Sequence, residues 1–172
     1  HAAHSMSEDM IGSGIVVADL FGDGRPAVLT TGEASLTLFR ARTDQWVEVT
    51  RQAIEDPATV DAVGGSAADV DGDGDLDLFI VTEHKNRLLI NDDGVFRDET
   101  DAWGLGHHEL RSMSSSWADI DLDQDLDLVV GNYGAGPGNL HASELYLNEG
   151  DHFVDVSDWL PTEMQTAWVF MT

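Results

Sequence analysis

The sequence predicts an all-β protein of four-stranded antiparallel units, with three repeats of about 50 residues followed by the first strand of another. Two observations carry that prediction. Ala18-Asp19-Leu20, Ala68-Asp69-Val70 and Ala118-Asp119-Ile120 recur at a spacing of 50, and each opens an acidic turn that leads into an apolar stretch. A fixed period of this size decides the architecture before any local propensity does. Within each period the apolar segments are short, rich in Val, Ile, Leu and Phe, and divided by turn residues, which is the pattern of strands rather than helices.

Taken in order, residues 1–10 read as a cloning remnant or a disordered N-terminus. The repeats then cover about 12–50, 62–100 and 112–157, with a further unit starting at about 165–172, where Gln165 to Met171 looks like an opening strand. In the second unit the strands are expected at Val63–Ala68, Leu76–Thr82, Arg87–Asn91 and Val95–Glu99, with Asn91-Asp92-Asp93-Gly94 as the tight hairpin between the last two. Trp46-Val47-Glu48-Val49-Thr50 falls in register with Phe96-Arg97-Asp98-Glu99-Thr100. The third copy, Phe153-Val154-Asp155-Val156-Ser157, arrives seven residues late, which places an insertion within Gly131 to Ser143. Short helical turns are expected at Asp56–Val60 and Asp101–Glu109. Four antiparallel strands per repeat make a β-propeller blade, and propellers close with about four to eight of them. Three do not close. Either further blades of the same protein or other copies of this chain would complete the ring.

Composition narrows the partners. Hydrophobic residues make up 42% of the 172, which suits an ordered core. Asp and Glu number 33 against 8 Lys and Arg, and the net charge of -25 repels phosphate backbones and anionic membrane faces. Neither nucleic acid nor membrane insertion is expected, and no apolar run approaches the length of a membrane span. With no cysteine there is no disulfide, no thiolate metal site and no cysteine nucleophile.

The acids bunch. Asp69, Asp71, Asp73, Asp75 and Asp77 stand at positions one, three, five, seven and nine of the second loop, with Gly74 at position six. Carboxylates crowded at that spacing repel one another unless a cation neutralises them, and oxygen ligands on a sharply turned backbone suit the 6–8 oxygens of Ca²⁺. An EF-hand would need a glutamate at position twelve, but Ile80 stands there within a strand, so Asp77 is expected to close the coordination. Asp75 is expected to offer its backbone carbonyl and leave its side chain in solvent. Asp119, Asp121, Asp123, Asp125 and Asp127 repeat the pattern with Gln124 in place of the glycine. The first loop, Asp19 to Ala27, has lost the acids at positions three, seven and nine, and is expected to keep the turn without the metal, although Asp19 and Asp23 remain. The expectation is about two calcium ions per chain.

These loops resemble the FG-GAP and VCBS repeats of integrin-α-like β-propellers, whose loops follow D-x-D-x-D-G-x-x-D. Arg87 to Thr100 and Leu145 to Ser157 are similar to the LYxNxGxGxFxDVT half-repeat of bacterial propellers that accompany ASPIC/UnbV domains. The resemblance implies a secreted, periplasmic or cell-surface location, calcium held for structure, and binding or adhesion as the role.

Antiparallel connectivity puts the acidic loops on one rim and the loops after second and fourth strands on the other. That second rim would carry Trp103, His107, His108, Glu109, Tyr133, Asn139 and His141, aromatic and hydrogen-bonding groups suited to a carbohydrate or protein ligand. The function expected is a calcium-stabilised binding or adhesion module and not an enzyme. Two alternatives are a polysaccharide lyase or hydrolase using those histidines with Glu109 or Tyr133 as acid and base, and a structural subunit of a surface assembly.

Overall fold

The computed structural model describes residues 14–32, 35–58, 62–106, 110–132 and 143–161. Three four-stranded antiparallel sheets follow one another along the chain, each with its strands in sequential order. The first holds β1 (Ile15–Ala18), β2 (Ala27–Thr30), β3 (Thr37–Ala41) and β4 (Trp46–Glu48). The second holds β5 (Ala62–Ala68), β6 (Asp77–Thr82), β7 (Arg87–Asp92) and β8 (Val95–Asp98), and the third β9 (Ser112–Ala118), β10 (Asp127–Asn132), β11 (Glu144–Asn148) and β12 (Phe153–Asp155). In the second sheet the strands begin and end within one residue of where sequence pattern puts them. Among the described residues the fold is all-β apart from a helical turn, α1 (Thr50–Ala53), and one 3-10 turn at Ser157–Trp159.

The repeat persists down to register. Ala18 pairs with Ala27, Ala68 with Asp77 and Ala118 with Asp127, so each acidic loop is closed by the same pair of positions. The conserved geometry extends to the far end of each unit. The hydroxyls of Thr50, Thr100 and Ser157 accept the backbone N–H of Leu38, Leu88 and Leu145, at 2.9, 2.9 and 3.1 Å. That hydroxyl holds the chain leaving the fourth strand against the third, which gives a physical reason for the Thr or Ser ending each half-repeat.

Two cores separate the three sheets. Every residue of β6 is buried, and because side chains alternate across a strand, Leu78 and Ile80 enter one core while Phe79 and Val81 enter the other. The first core joins Leu29 and Leu38 of the first sheet to Leu78, Ile80, Leu89 and Phe96 of the second. The second joins Phe79, Val81 and Leu88 to Leu128, Val130 and Phe153 of the third. The initial strands lie side by side: Ser66 and Ser115 meet at 2.7 Å, and a Cβ on Gly14 would stand 2.5 Å from the Gly64 Cα, so this approach of backbones requires glycine.

Three details differ from the sequence expectation. The helical turn expected at Asp56–Val60 falls earlier, at Thr50–Ala53. Pro57 disfavours helical backbone at Asp56, and residues 59–60 lie outside the described residues. Gly131, expected at the start of the insertion, is still in β10, so the long connection begins after Asn132. Trp103, expected on an exposed rim, is a core residue.

Candidate metal centres

Each acidic loop is a chain of short side-chain-to-backbone turns, the local hydrogen bonding that aspartate favours outside regular structure. Asp69 Oδ2 accepts the N–H of Gly74 at 3.1 Å, Asp71 Oδ1 that of Asp73 at 3.2 Å, and Asp73 Oδ1 that of Asp75 at 2.8 Å. The third loop repeats this with Asp119, Asp121 and Asp123 accepting from Gln124, Asp123 and Asp125 at 3.2, 3.3 and 2.9 Å. The bend needs left-handed backbone twice per loop. Gly72 and Gly74 supply it at φ of 73° and 96°, whereas Leu122 and Gln124 adopt 68° and 87° against their own sterics.

This folding brings three of the five carboxylates together in each loop. Asp69, Asp71 and Asp77 each direct an oxygen into a group within 4.8 Å, and Asp119, Asp121 and Asp127 do the same. Both clusters could hold a metal ion. The Oδ1 atom of Asp69 is buried with no hydrogen-bond partner among the described residues, a state that costs free energy unless a cation fills it. Asp73 and Asp123 serve as backbone acceptors outside the triads. Asp75 does not leave its side chain to solvent, since its Oδ2 accepts the N–H of Asp93 at 3.0 Å in the β7–β8 hairpin. Asp125 lies beside the matching β11–β12 hairpin, where a Cβ on Gly150 would stand 3.7 Å from its Oδ2.

The ninth-position aspartates do more than complete the triads. Asp77 is fully buried, and its two oxygens accept the N–H groups of Val70 and Asn91 at 2.7 and 2.8 Å. Asp127 accepts those of Ile120 and Asn148 at 2.6 and 2.9 Å. Burial pushes the Asp77 carboxyl up to about 7, against the two N–H groups that favour its ionised form, with Asp71 and Asp73 adding repulsion. Desolvation within the loops also raises Asp71 and Asp121, helped by neighbouring aspartates.

Asn91 and Asn148 are the residues whose role sequence pattern did not reveal. Asn91 looked like a turn residue, yet its Nδ2 donates to the Leu76 carbonyl at 3.0 Å and to the Leu20 carbonyl of the preceding sheet at 3.1 Å. Asn148 donates likewise to Leu126 at 3.4 Å and to Val70 of the preceding sheet at 2.8 Å. Each asparagine therefore ties its own acidic loop to the one before it. Their recurrence at equivalent places in the two half-repeats was the available signal.

The first loop lacks a triad. Phe21 and Ala27 occupy positions three and nine, while the Arg40 guanidinium bonds Asp23 Oδ2 at 2.9 Å and lies 4.1 Å from the Phe21 ring centre. That guanidinium holds Asp23 below the usual carboxylate range.

On the opposite rim the structure forms two links between the second and third sheets. Arg111 pairs with Glu83, and Asn86 donates to Ser112 at 2.8 Å. Ser112 continues into a buried chain through Asn132 and Glu144 to Tyr146, with steps of 2.8, 2.9 and 2.8 Å. Sequence reasoning missed this network, although Glu144 and Tyr146 stand two apart on one strand face. Trp103 is 9% exposed and its ring lies tilted against Phe153, with ring centres 5.7 Å apart, inside the second core, which leaves it no ligand face. His107, His108, Glu109, Tyr133, Asn139 and His141 lie outside the described residues.

Repeated four-stranded sheets, each carrying a carboxylate loop between its first two strands, define the class of protein. The FG-GAP-like repeat family matches the chain over residues 19–80 and 69–130, each match running from one acidic loop into the second strand of the next sheet. Together they cover more than half of the sequence, and the chain belongs to this family. No curated protein matches it. Among the described residues no helix is long and apolar enough to cross a membrane.

Proposed function

We propose that this chain is part of a calcium-stabilised, extracellular β-propeller that serves as a binding or adhesion module for a carbohydrate or a protein. The observation that carries the reading is the pair of aspartate triads, one containing a buried carboxylate oxygen with no other partner among the described residues. An all-oxygen, all-anionic donor set suits a hard cation, and calcium accepts the irregular geometry of a loop better than magnesium does. Asp69, Asp71 and Asp77 would hold one ion, and Asp119, Asp121 and Asp127 the other. Sheets stacked through both faces of β6 support a propeller arrangement, because each sheet covers its neighbour.

In this reading the metal serves stability, the chain is not an enzyme, and a ligand binds on the rim opposite the metal loops. The test is a glycan and protein array probed with and without chelator. Binding that weakens as chelator loosens the sheets is the expected result, whereas turnover of a polysaccharide by the purified protein would replace this reading with an enzymatic one. A structural role in an assembly is the second reading. It is favoured by the open face of the first sheet, where Ile15, Val17 and Trp46 stand 69%, 62% and 52% exposed. Rings or filaments in micrographs, together with an array that shows no ligand, would select it.

A further inference from the structure

We infer that the third acidic loop is a socket for a further FG-GAP-like repeat whose third strand ends in asparagine, and that the first sheet of a second copy of this chain does not fill it. The inference rests on the propeller reading above and names the partner that one of its edges accepts.

The two sheet-to-sheet joints within the chain are built alike. In each, the second residue of an acidic loop sends its side chain into the core shared with the following sheet and its carbonyl to an asparagine of that sheet. Leu20 is 0% exposed in the first core and receives Asn91 at 3.1 Å. Val70 is 3% exposed in the second core and receives Asn148 at 2.8 Å. Ile120 holds the same place in the third loop, with the same N–H bond to a ninth-position aspartate, at 2.6 Å. It is 40% exposed, and no asparagine among the described residues meets its carbonyl. Beside it Leu122 is 82% exposed. Two uncovered apolar side chains amid five carboxylates do not suit a solvated loop. They suit a surface that another sheet covers as the first two loops are covered.

The partner's chemistry follows from what the asparagine itself needs. Asn91 and Asn148 each direct their own N–H to a buried aspartate, Asp77 or Asp127, so the clamp requires asparagine and aspartate together. Strand register puts Ala27 and Ala41 at these two positions in the first sheet. There the N–H of Ala41 bonds the Pro26 carbonyl at 3.2 Å instead. The first sheet has therefore lost both halves of the clamp. Its outer face is apolar, with Trp46 standing where Phe96 and Phe153 are buried in the other sheets, but it cannot reach the Ile120 carbonyl with an amide.

Sedimentation velocity on the full chain in calcium tests this, using the unmutated protein and Ala27→Asp/Ala41→Asn, each with and without Ile120→Asp. Restoring the clamp should tighten head-to-tail association by about tenfold, the effect of one or two added hydrogen bonds, and Ile120→Asp should remove that gain. Any association of the unmutated chain should be indifferent to Ile120→Asp. The inference is overturned if the double variant associates no more tightly than the unmutated chain, or if Ile120→Asp dissociates the unmutated chain. Ala41→Asn alone, which leaves the buried Ala27 untouched, serves if circular dichroism shows the double variant unfolded, and should give a smaller gain with the same dependence on Ile120. Calcium titration of the same samples reads the metal sites separately, so a failed socket with two bound ions would leave the calcium reading intact.

Discussion

Gly22 and Gly24 of the first acidic loop take φ of 61° and 76°, and Gly72 and Gly74 of the second take 73° and 96°. Asp19 accepts the N–H groups of Asp23 and Gly24 at 3.2 and 2.7 Å, much as Asp69 accepts that of Gly74. The backbone bend is the same, yet only the second loop gathers three carboxylates. In the first, an arginine from the neighbouring strand supplies the positive charge, and Phe21 fills the third position while its ring abuts the hairpin of the next sheet, where a Cβ on Gly94 would stand 2.8 Å away. The comparison separates two functions that the loop motif combines. Aspartate at position one and left-handed backbone at four and six make the turn, whereas positions three and nine decide whether three carboxylates gather where a metal ion could be held.

The sharpest way to break that comparison is Asp77→Ala, which places in the second loop the residue the first already has. In the first loop the N–H of Ala41 has the Pro26 carbonyl, whereas the backbone N–H of Asn91 is held by Asp77. Two buried N–H groups would lose their acceptor, at about 1–3 kcal/mol each, even before any metal is considered. Chemical denaturation in chelator should show this loss; an unchanged midpoint would mean that Asp77 acts only as a metal ligand.

Calcium should raise the melting temperature of the unmutated chain, by about 2.7 kcal/mol of stability per site at 100 times the dissociation constant. Asp71→Ala and Asp121→Ala should each abolish one site's share. Asp23→Ala should leave the calcium response unchanged, since its partner is Arg40. Melting curves with chelator and with excess calcium check all three, and a lost response for Asp23→Ala would show that the first loop also holds an ion.

Dependence on pH follows from Asp77. Its carboxyl in the metal-free fold titrates at about 7, against about 3.9 in an unfolded chain, so the folded state holds the proton more tightly. The resulting stability is complete below the unfolded value and is lost as pH rises through about 7. In chelator the melting temperature should fall between roughly pH 5 and pH 8, and the increment from calcium, which competes with the same proton, should widen over that range. A flat profile in chelator would contradict the assignment.

The smallest expected effect refines the comparison from the other side. Leu122→Gly and Gln124→Gly put glycine where the first and second loops have it, and each should stabilise the chain by about 1 kcal/mol by relieving left-handed strain. Thermal melts in calcium check the direction; destabilisation by Leu122→Gly would mean that the leucine side chain is already covered.

Much of this was legible in the sequence because the period is long, regular and tied to turn chemistry. The strands of the second sheet follow from short apolar segments between turn signals. The bend at Gln124 was legible because the preceding repeat has glycine there. The role of Asn91 was not, since one asparagine serves a hairpin and a clamp to the preceding sheet at once, and sequence spacing shows only the first. Trp103 misled for a related reason: it follows the last strand of its sheet, where loops are ordinarily exposed, but hydrogen-bonded turns over residues 99–105 and the N–H of Phe153 donating to its carbonyl hold it against the Phe153 ring. The positive charge in the first loop was not legible either, since Arg40 is seventeen residues from Asp23 in sequence and joined to it only across the sheet.

The central claim is that two loops hold calcium and the first supplies its own cation. Isothermal titration of the metal-free chain with calcium tests it most directly. Two ions bound per chain, falling to one in Asp71→Ala and remaining two in Asp23→Ala, is the result this account predicts; fewer than one ion per chain, or a third ion lost on mutating Asp23, would contradict it.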